Sequence, residues 1–190
     1  VVSATMRHMI GDQDFAISSN PYGTFSFQIG SANIASYKGN LLMLDGKLLD
    51  REQIEDNGPD GDAGLLLRLC LKKGFQEALK IIEGNIAVAF FEEDSRRLWL
   101  SRDLFGIKPL YYASGSIGFA FASLPAALAA NVDGVDNCPN SRFVALFAGS
   151  HYRTFDNCPS ESPFAQVNQV PAAHFLHTSE NANILVQRYW

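Results

Sequence analysis

Between Thr24 and Ile34 apolar and small polar residues alternate, with Phe25, Phe27 and Ile29 on one face, the period-two pattern of a half-buried strand. Asn40 to Met43 runs on into Leu44–Leu49 and predicts a second strand that reaches a turn at Asp45-Gly46, a pair favoured in tight turns. The stretch Asp56-Asn57-Gly58-Pro59-Asp60-Gly61 contains each residue type that punctuates regular structure, so it reads as a loop. Asp62 follows where a helix N-cap is wanted, because its side-chain oxygen can accept from the first free amides. Leucines at 65, 66, 67, 69 and 71 give Gly64 to Lys73 a broad apolar helical face, and Gly74 closes it. Phe75 to Ile82 predicts a second short helix, after which Gly84 releases the chain into the apolar strand Asn85–Phe91.

Glu92 to Arg97 reads as a turn. Leu98 to Tyr112 is then an alternating strand, a charged turn hinged on Gly106, and a second strand started by Pro109 and rich in aromatics. Gly118 to Ser123 is a third strand, and Pro125 starts a helix of alanines and leucines. After about Asp133, Pro, Asn, Ser and Cys dominate, with one helical piece at Arg142 to Phe147. Strands, then helices, then strands predict an α+β domain rather than a doubly wound parallel sheet. Most of the 14 phenylalanines fall on strand-periodic positions, where burial is expected.

Composition narrows the function classes. A chain of 190 residues with 47% hydrophobic content can bury one sizeable core, so one domain, or one with a C-terminal extension, is expected. The net charge of -5 is dispersed in mixed clusters such as Glu92-Glu93-Asp94 before Arg96-Arg97; without a basic stripe, nucleic acid is not an expected partner. No apolar run approaches the roughly 20 residues that span a bilayer and no signal sequence opens the chain, so no membrane is expected and a cytoplasmic location is. Three cysteines argue against a secreted disulfide framework. Cys70 sits in the helical pattern as a small buried hydrophobe, whereas Cys138 and Cys158 each stand in Asp-Asn-Cys-Pro, an echo that leaves open either a pairing of two loops or a chance likeness of two turns. No C-x-x-C or spaced histidine pair points to a metal.

One string adds chemistry to this picture. Arg102-Asp103-Leu104-Phe105-Gly106-Ile107-Lys108-Pro109-Leu110-Tyr111-Tyr112 resembles the R-D-x-x-G-x-K-P-L-Y-Y element of class II glutamine amidotransferase domains, the N-terminal nucleophile (Ntn) domains of asparagine synthetases and their relatives. The resemblance implies a four-layer αββα sandwich of two antiparallel sheets flanked by helices. It covers Thr24 to Ser123 well and the tail to Trp190 loosely, while the first ~20 residues match poorly. On this reading residues 1–132 form the amidotransferase-like core, and 133–190 completes the domain and leads toward a synthetase domain outside this chain. ATP and Mg are expected only in that attached domain, with no cofactor in this one, and the implied partner is an asparagine-synthetase-like ATP-dependent domain in cis or in trans.

The family attacks glutamine with the thiol of an N-terminal cysteine whose own amine is the general base. Here the chain opens Val1-Val2-Ser3-Ala4-Thr5 and has no cysteine before Cys70, so no catalytic residue is assigned. Other family positions also differ. The arginine that clamps the glutamine carboxylate has no counterpart in Gly30–Ser36, the Arg-Gly-Pro-Asp element matches only Ile10–Asp14, Gly64 replaces a glutamate, and Leu124 replaces the acid of an Ala-Ser-Glu element. The Asn-Gly pair of the oxyanion hole corresponds to Asp45-Gly46, and an ionised aspartate there weakens oxyanion stabilisation by about 3 kcal/mol. Asp62 matches the aspartate that binds the α-amino group of glutamine, a role that competes with N-capping. Arg102, Asp103, Gly106, Lys108 and Pro109 read as scaffold: an ion pair or turn hydrogen bonds, a special backbone angle at Gly106, and a strand start.

Four functions follow. The leading expectation is a degenerate, noncatalytic amidotransferase domain that serves as a structural or docking platform for an amide-forming ligase. The alternative is an active glutamine-hydrolysing domain whose cysteine lies upstream of Val1. Weaker options are an Ntn hydrolase using Ser3 or Thr5 after processing, and a module that binds glutamine, another amino acid or a small carboxylate.

Overall fold

A computed structural model describes residues 15–20, 23–28, 32–49, 51, 54, 60–116, 118–150, 158–178 and 184–190 of the chain. Its strands are β1 (Phe15–Asn20), β2 (Gly23–Gln28), β3 (Ala32–Tyr37), β4 (Asn40–Leu49), β5 (Glu83–Glu92), β6 (Arg97–Arg102), β7 (Tyr111–Gly115), β8 (Gly118–Ala122), β9 (Asn168–Gln169), β10 (His174–Thr178) and β11 (Ile184–Arg188). Its helices are α1 (Asp62–Lys73), α2 (Phe75–Ile81), α3 (Pro125–Asn131) and α4 (Ser141–Ser150). β1 and β2 pair as a two-stranded sheet; a six-stranded sheet has the order β11-β10-β6-β5-β4-β3 and a three-stranded sheet the order β8-β7-β9, all pairings antiparallel.

Alternation within the strands sorts their side chains into layers. Leu42, Leu44 and Leu48 of β4, with Ile86, Val88 and Phe90 of β5 and Trp99 of β6, face the leucine side of α1 and the Phe75–Leu79 side of α2. Phe75 anchors this layer, its ring 5.8 Å from Phe90 and 5.4 Å from Trp99. The intervening residues Ala87, Ala89 and Leu100 face the other way, onto Leu110, Tyr112 and Val170, with Met43, Phe119 and Phe121 packed alongside. That second core lies between the two sheets. Ala113 and Ala122, on the far face of the small sheet, pack with Ala127, Leu128, Ala129, Val135 and Val167 beneath α3. Helices, large sheet, small sheet, helix: the expected αββα order follows from three cores stacked in register.

Several local expectations are corrected. The single strand expected over 24–34 is two, β2 and β3; residues 29–31 and the side chains of Phe25, Phe27 and Ile29 lie outside the described set. Asp45-Gly46 makes no turn, because β4 runs through it with Asp45 opposite Ala87 and Gly46 opposite Ile86. The turn preference of the dipeptide yields to ladder pairing on both flanks. Helix α1 begins at Asp62 rather than Gly64, and Gly61 occupies the N-cap with no side-chain cap bond. Asp62 is therefore not the cap. Gly74 does close α1, with φ 85° and its amide bonded to the Cys70 carbonyl. α4 extends the helical piece expected at 142–147 to Ser141–Ser150, and the last strands are His174–Thr178 and Ile184–Arg188. Phe105, in the charged turn, and Phe147, in α4, lie off the strand-periodic positions and are 82% and 50% exposed. All three cysteines are free, Cys70 and Cys158 buried and Cys138 exposed, and burial pushes the Cys70 thiol up.

Candidate functional site

The 102–109 string becomes a rigid loop by hydrogen bonding from two buried side chains at its root. Arg102 donates from Nε to the Lys108 carbonyl at 2.7 Å, from Nη1 to the Val170 carbonyl at 2.7 Å, and from Nη2 to the Gly106 carbonyl. Asp103 accepts through Oδ1 from the amides of Phe105 (3.0 Å) and Ile107 (3.1 Å), and through Oδ2 from those of Lys108 (3.3 Å) and Ile86 (3.2 Å). Of the two roles expected for this pair, turn hydrogen bonding is the one realised: the guanidinium gathers carbonyls and the carboxylate gathers amides. Gly106 sits at φ 63°, and a Cβ there would meet Arg102 Nη2 at 2.8 Å. Burial pulls the Arg102 guanidinium below its ordinary pKa, and its three carbonyl acceptors hold the cation in place.

The loop projects Lys108 over β4. Met43 faces the core between the sheets, so Asp45, two residues along the same strand, faces that side too. There Lys108 Nζ donates to Asp45 Oδ1 at 2.9 Å, with the two side chains 31% and 22% exposed. Each is the other's side-chain partner, and among the described residues neither side chain makes a further polar contact. Gly46 completes the corner at φ 113°; a Cβ there would lie 1.9 Å from the Asn85 carbonyl oxygen and 3.2 Å from Lys108 Cε. Ile86, opposite Gly46, spends its amide and carbonyl on Asp103, so Gly46 is at a site of the β4–β5 ladder without backbone bonds between the strands. Its amide consequently points to the β3 side, beyond Ala32, the last residue β3 pairs with β4.

Asp62 is brought to the other face. Its Oδ2 accepts from the Leu48 amide at 2.8 Å and its Oδ1 pairs with Arg51 at 3.0 Å, tying the start of α1 to the end of β4. It does not meet Asp45. Gly64, where the resemblance places a glutamate, is crowded: a Cβ would lie 2.4 Å from Cβ of Asp60, which is paired with Arg68. Leu124 precedes α3 as its N-cap residue and is 43% exposed. Of the stretch 30–36, residues 32–36 lie in β3, and the opening residues Val1, Ser3, Thr5 and 10–14 lie outside the described set.

Two participants escaped the sequence reading. Lys108 was assigned to scaffold, yet its ammonium is the partner of Asp45, 63 residues away. Tyr189 packs on the helix-side core and donates from its hydroxyl to the Arg102 carbonyl at 2.8 Å. Burial, reinforced by the nearby Asp103 carboxylate, pushes the Tyr189 phenol up to about 12. The opposite charges of Asp45 and Lys108 were a visible signal, but nothing local linked them.

Two sheets face each other between helical layers, and the Asp45-Gly46 corner meets the 102–109 loop on the inner side: this is the architecture of an Ntn-type amidotransferase sandwich. The chain belongs to the glutamine amidotransferase domain family, whose model matches residues 46–190. It is 36% identical over 63 residues, 33% of this chain and 12% of the relative, to the putative asparagine synthetase [glutamine-hydrolyzing] 1 of Methanocaldococcus jannaschii. Among solved structures it resembles the glutamine phosphoribosylpyrophosphate (PRPP) amidotransferase from B. subtilis complexed with ADP and GMP, with a TM-score of 0.50, 16% identity, and coverage of 82% of this chain and 30% of that one. A structure described as the allosteric regulatory enzyme of purine biosynthesis matches with a TM-score of 0.51 and 15% identity, covering 83% of this chain and 30% of that one. At these identities the structures establish the shared fold, and the chain spans less than a third of each relative's length. Among the described residues no helix is long and apolar enough to cross a membrane.

Proposed function

We propose that this is a glutamine amidotransferase domain that has given up glutamine hydrolysis and serves as a structural or docking domain for an asparagine-synthetase-like, ATP-dependent amide-forming ligase. The observation that carries this reading is the Asp45–Lys108 pair. An oxyanion hole needs preorganised donors aimed at the developing charge. Position 45 instead presents a carboxylate, which only accepts, and the lysine that neutralises it is committed to it at 2.9 Å. Asp62, the position matched to the amino-group ligand, supports the same reading: both its oxygens are engaged by Leu48 and Arg51. A scaffold kept by buried hydrogen bonds beside a corner of altered polarity is what a domain retained for its shape would carry.

The test is ammonia release from glutamine by the full-length native protein. We expect release at the level of the uncatalysed control, unchanged by Asp45→Asn. Robust glutamine-dependent release overturns the proposal in favour of an active glutamine-hydrolysing domain.

A further inference from the structure

At the end of the β4–β5 ladder, where the 102–109 loop begins, lies a half-open cavity of about 260 Å³. Its walls include Leu49, Ile82, Ile86, Leu104, Phe105 and Tyr189. Neither Asp45 nor Lys108 lines it, so it is separate from the corner between the sheets. Three properties single it out.

The first is a rigid, exposed aromatic. Phe105 is 82% exposed, yet its amide is bonded to Asp103 Oδ1 at 3.0 Å, and the next residues are held by the Asp103 carbonyl, Asp103 Oδ1 and the Arg102 guanidinium. A large apolar side chain on a loop fixed from within loses little freedom on binding, and such residues are where interface energy concentrates. Leu49, 51% exposed, extends the apolar rim.

The second is shape. Tyr189, which lines the cavity, ties its hydroxyl back to the Arg102 carbonyl, and the volume has room for one large side chain. The third is charge. The lining contains two carboxylates, Glu83 and Asp103, and no lysine, arginine or histidine. Glu83 is exposed and makes no ion pair with any described residue. Asp103 is buried and satisfied by amides, so the exposed carboxylate of Glu83 is the one open to a ligand.

We infer that this rim is the docking surface for a protein partner that presents an arginine, its aliphatic stem in the slot beside Ile82 and Tyr189 and its guanidinium over Phe105 and against Glu83. This rests on the docking reading above and names the face and the chemistry it selects. Arginine suits the site because its planar cation stacks on an aromatic ring while its methylenes bury along apolar walls.

The experiment is an amide-resolved NMR titration of the isotope-labelled chain with N-acetyl-arginine amide and with its neutral isostere N-acetyl-citrulline amide. The expected result is saturable shifts confined to residues 83–86, 104–106 and 189, with citrulline binding about five-fold more weakly, the size of one exposed ion pair. Glu83→Gln should reduce arginine to the citrulline level, and Phe105→Ala should abolish the response while the rest of the spectrum is unchanged. Equal responses to both probes, an undiminished response in Phe105→Ala, or no saturable shift at all overturns the inference. Ammonia release from glutamine by the full-length protein is read separately: catalysis would sink the noncatalytic reading without moving these shifts, and loss of the arginine response would leave that reading standing.

Discussion

Lys108 and Asp45, 63 residues apart in the chain, meet at 2.9 Å on the inner face of the large sheet. The contact depends on a loop whose backbone is held at its root by Arg102 and Asp103, so the lysine starts from a fixed position and only its flexible stem must be ordered. An aspartate that would otherwise repel any anion in the corner is thereby neutralised. Lys108 thus ties the 102–109 loop to β4.

The pair should show as a coupling in a double-mutant cycle. With Asp45→Asn, Lys108→Met and the double variant, denaturant unfolding is expected to give an interaction of about 0.5 to 1 kcal/mol, the range for partly exposed ion pairs, shrinking in high salt. Strict additivity would remove the pair from the account of the corner.

Gly46→Ala should be among the most damaging single-methyl changes in the chain. Its φ of 113° is foreign to alanine, and the new Cβ would sit 1.9 Å from a backbone oxygen that cannot swing away. A loss of about 3 kcal/mol is expected in thermal or denaturant unfolding. Gly74→Ala serves as the control: it shares a positive φ, but nothing lies within 4 Å of its Cβ, so only the conformational part of the loss, about 1 kcal/mol, is expected.

Arg102→Met removes the donor from three carbonyls, those of Gly106, Lys108 and Val170, at a side chain that is 6% exposed. Stability should fall by about 3 to 5 kcal/mol as those acceptors lose their partner. Arg102→Lys should recover less than half of the loss, since one ammonium cannot reproduce the guanidinium fork. Full rescue by lysine would show that charge, rather than geometry, holds the loop.

Tyr189 gives a pH dependence at the alkaline end. Its folded value of about 12 lies above the ordinary 10, so the folded chain keeps the phenolic proton longer than the unfolded chain does. The associated stability is complete below pH 10 and declines as pH rises from 10 toward 12. Burial raises Tyr111 and Tyr112 in the same direction, so Tyr189→Phe should make the decline shallower without abolishing it. Denaturant midpoints across that range measure the slope, and an unchanged slope would contradict the assignment.

Much of the architecture was legible because it is written in short periods. The apolar strands at 40–49 and 85–91, the leucine face of α1 and the Pro125 start of α3 each marked an element, and those elements fit the αββα order the motif implied. Boundaries and dipeptide signals were less reliable. Asp45-Gly46 has the composition of a turn, but β3 on one side and β5 on the other hold Asp45 in a straight ladder. Asp62 has the composition of a cap, yet α1 starts one residue earlier than the cap reading requires: Gly61 holds the N-cap, and the Asp62 carboxylate is engaged by Leu48 and Arg51. Phe105 belongs to the charged turn, and its exposure was not legible, since the hydrogen bonds of its loop determine its direction irrespective of its hydrophobicity.

By itself, then, the sequence determined the class of fold, the identity of the 102–112 motif and the residue types available around it, all of which are properties of neighbours along the chain. Tertiary structure decided what those residues do: that Lys108 answers Asp45, that Asp62 joins a strand to a helix, and that Phe105 and Tyr189 frame a cavity with Glu83. Those outcomes rest on contacts between distant segments, whose energies depend on distance and desolvation in the packed state, and no local pattern of residues records them.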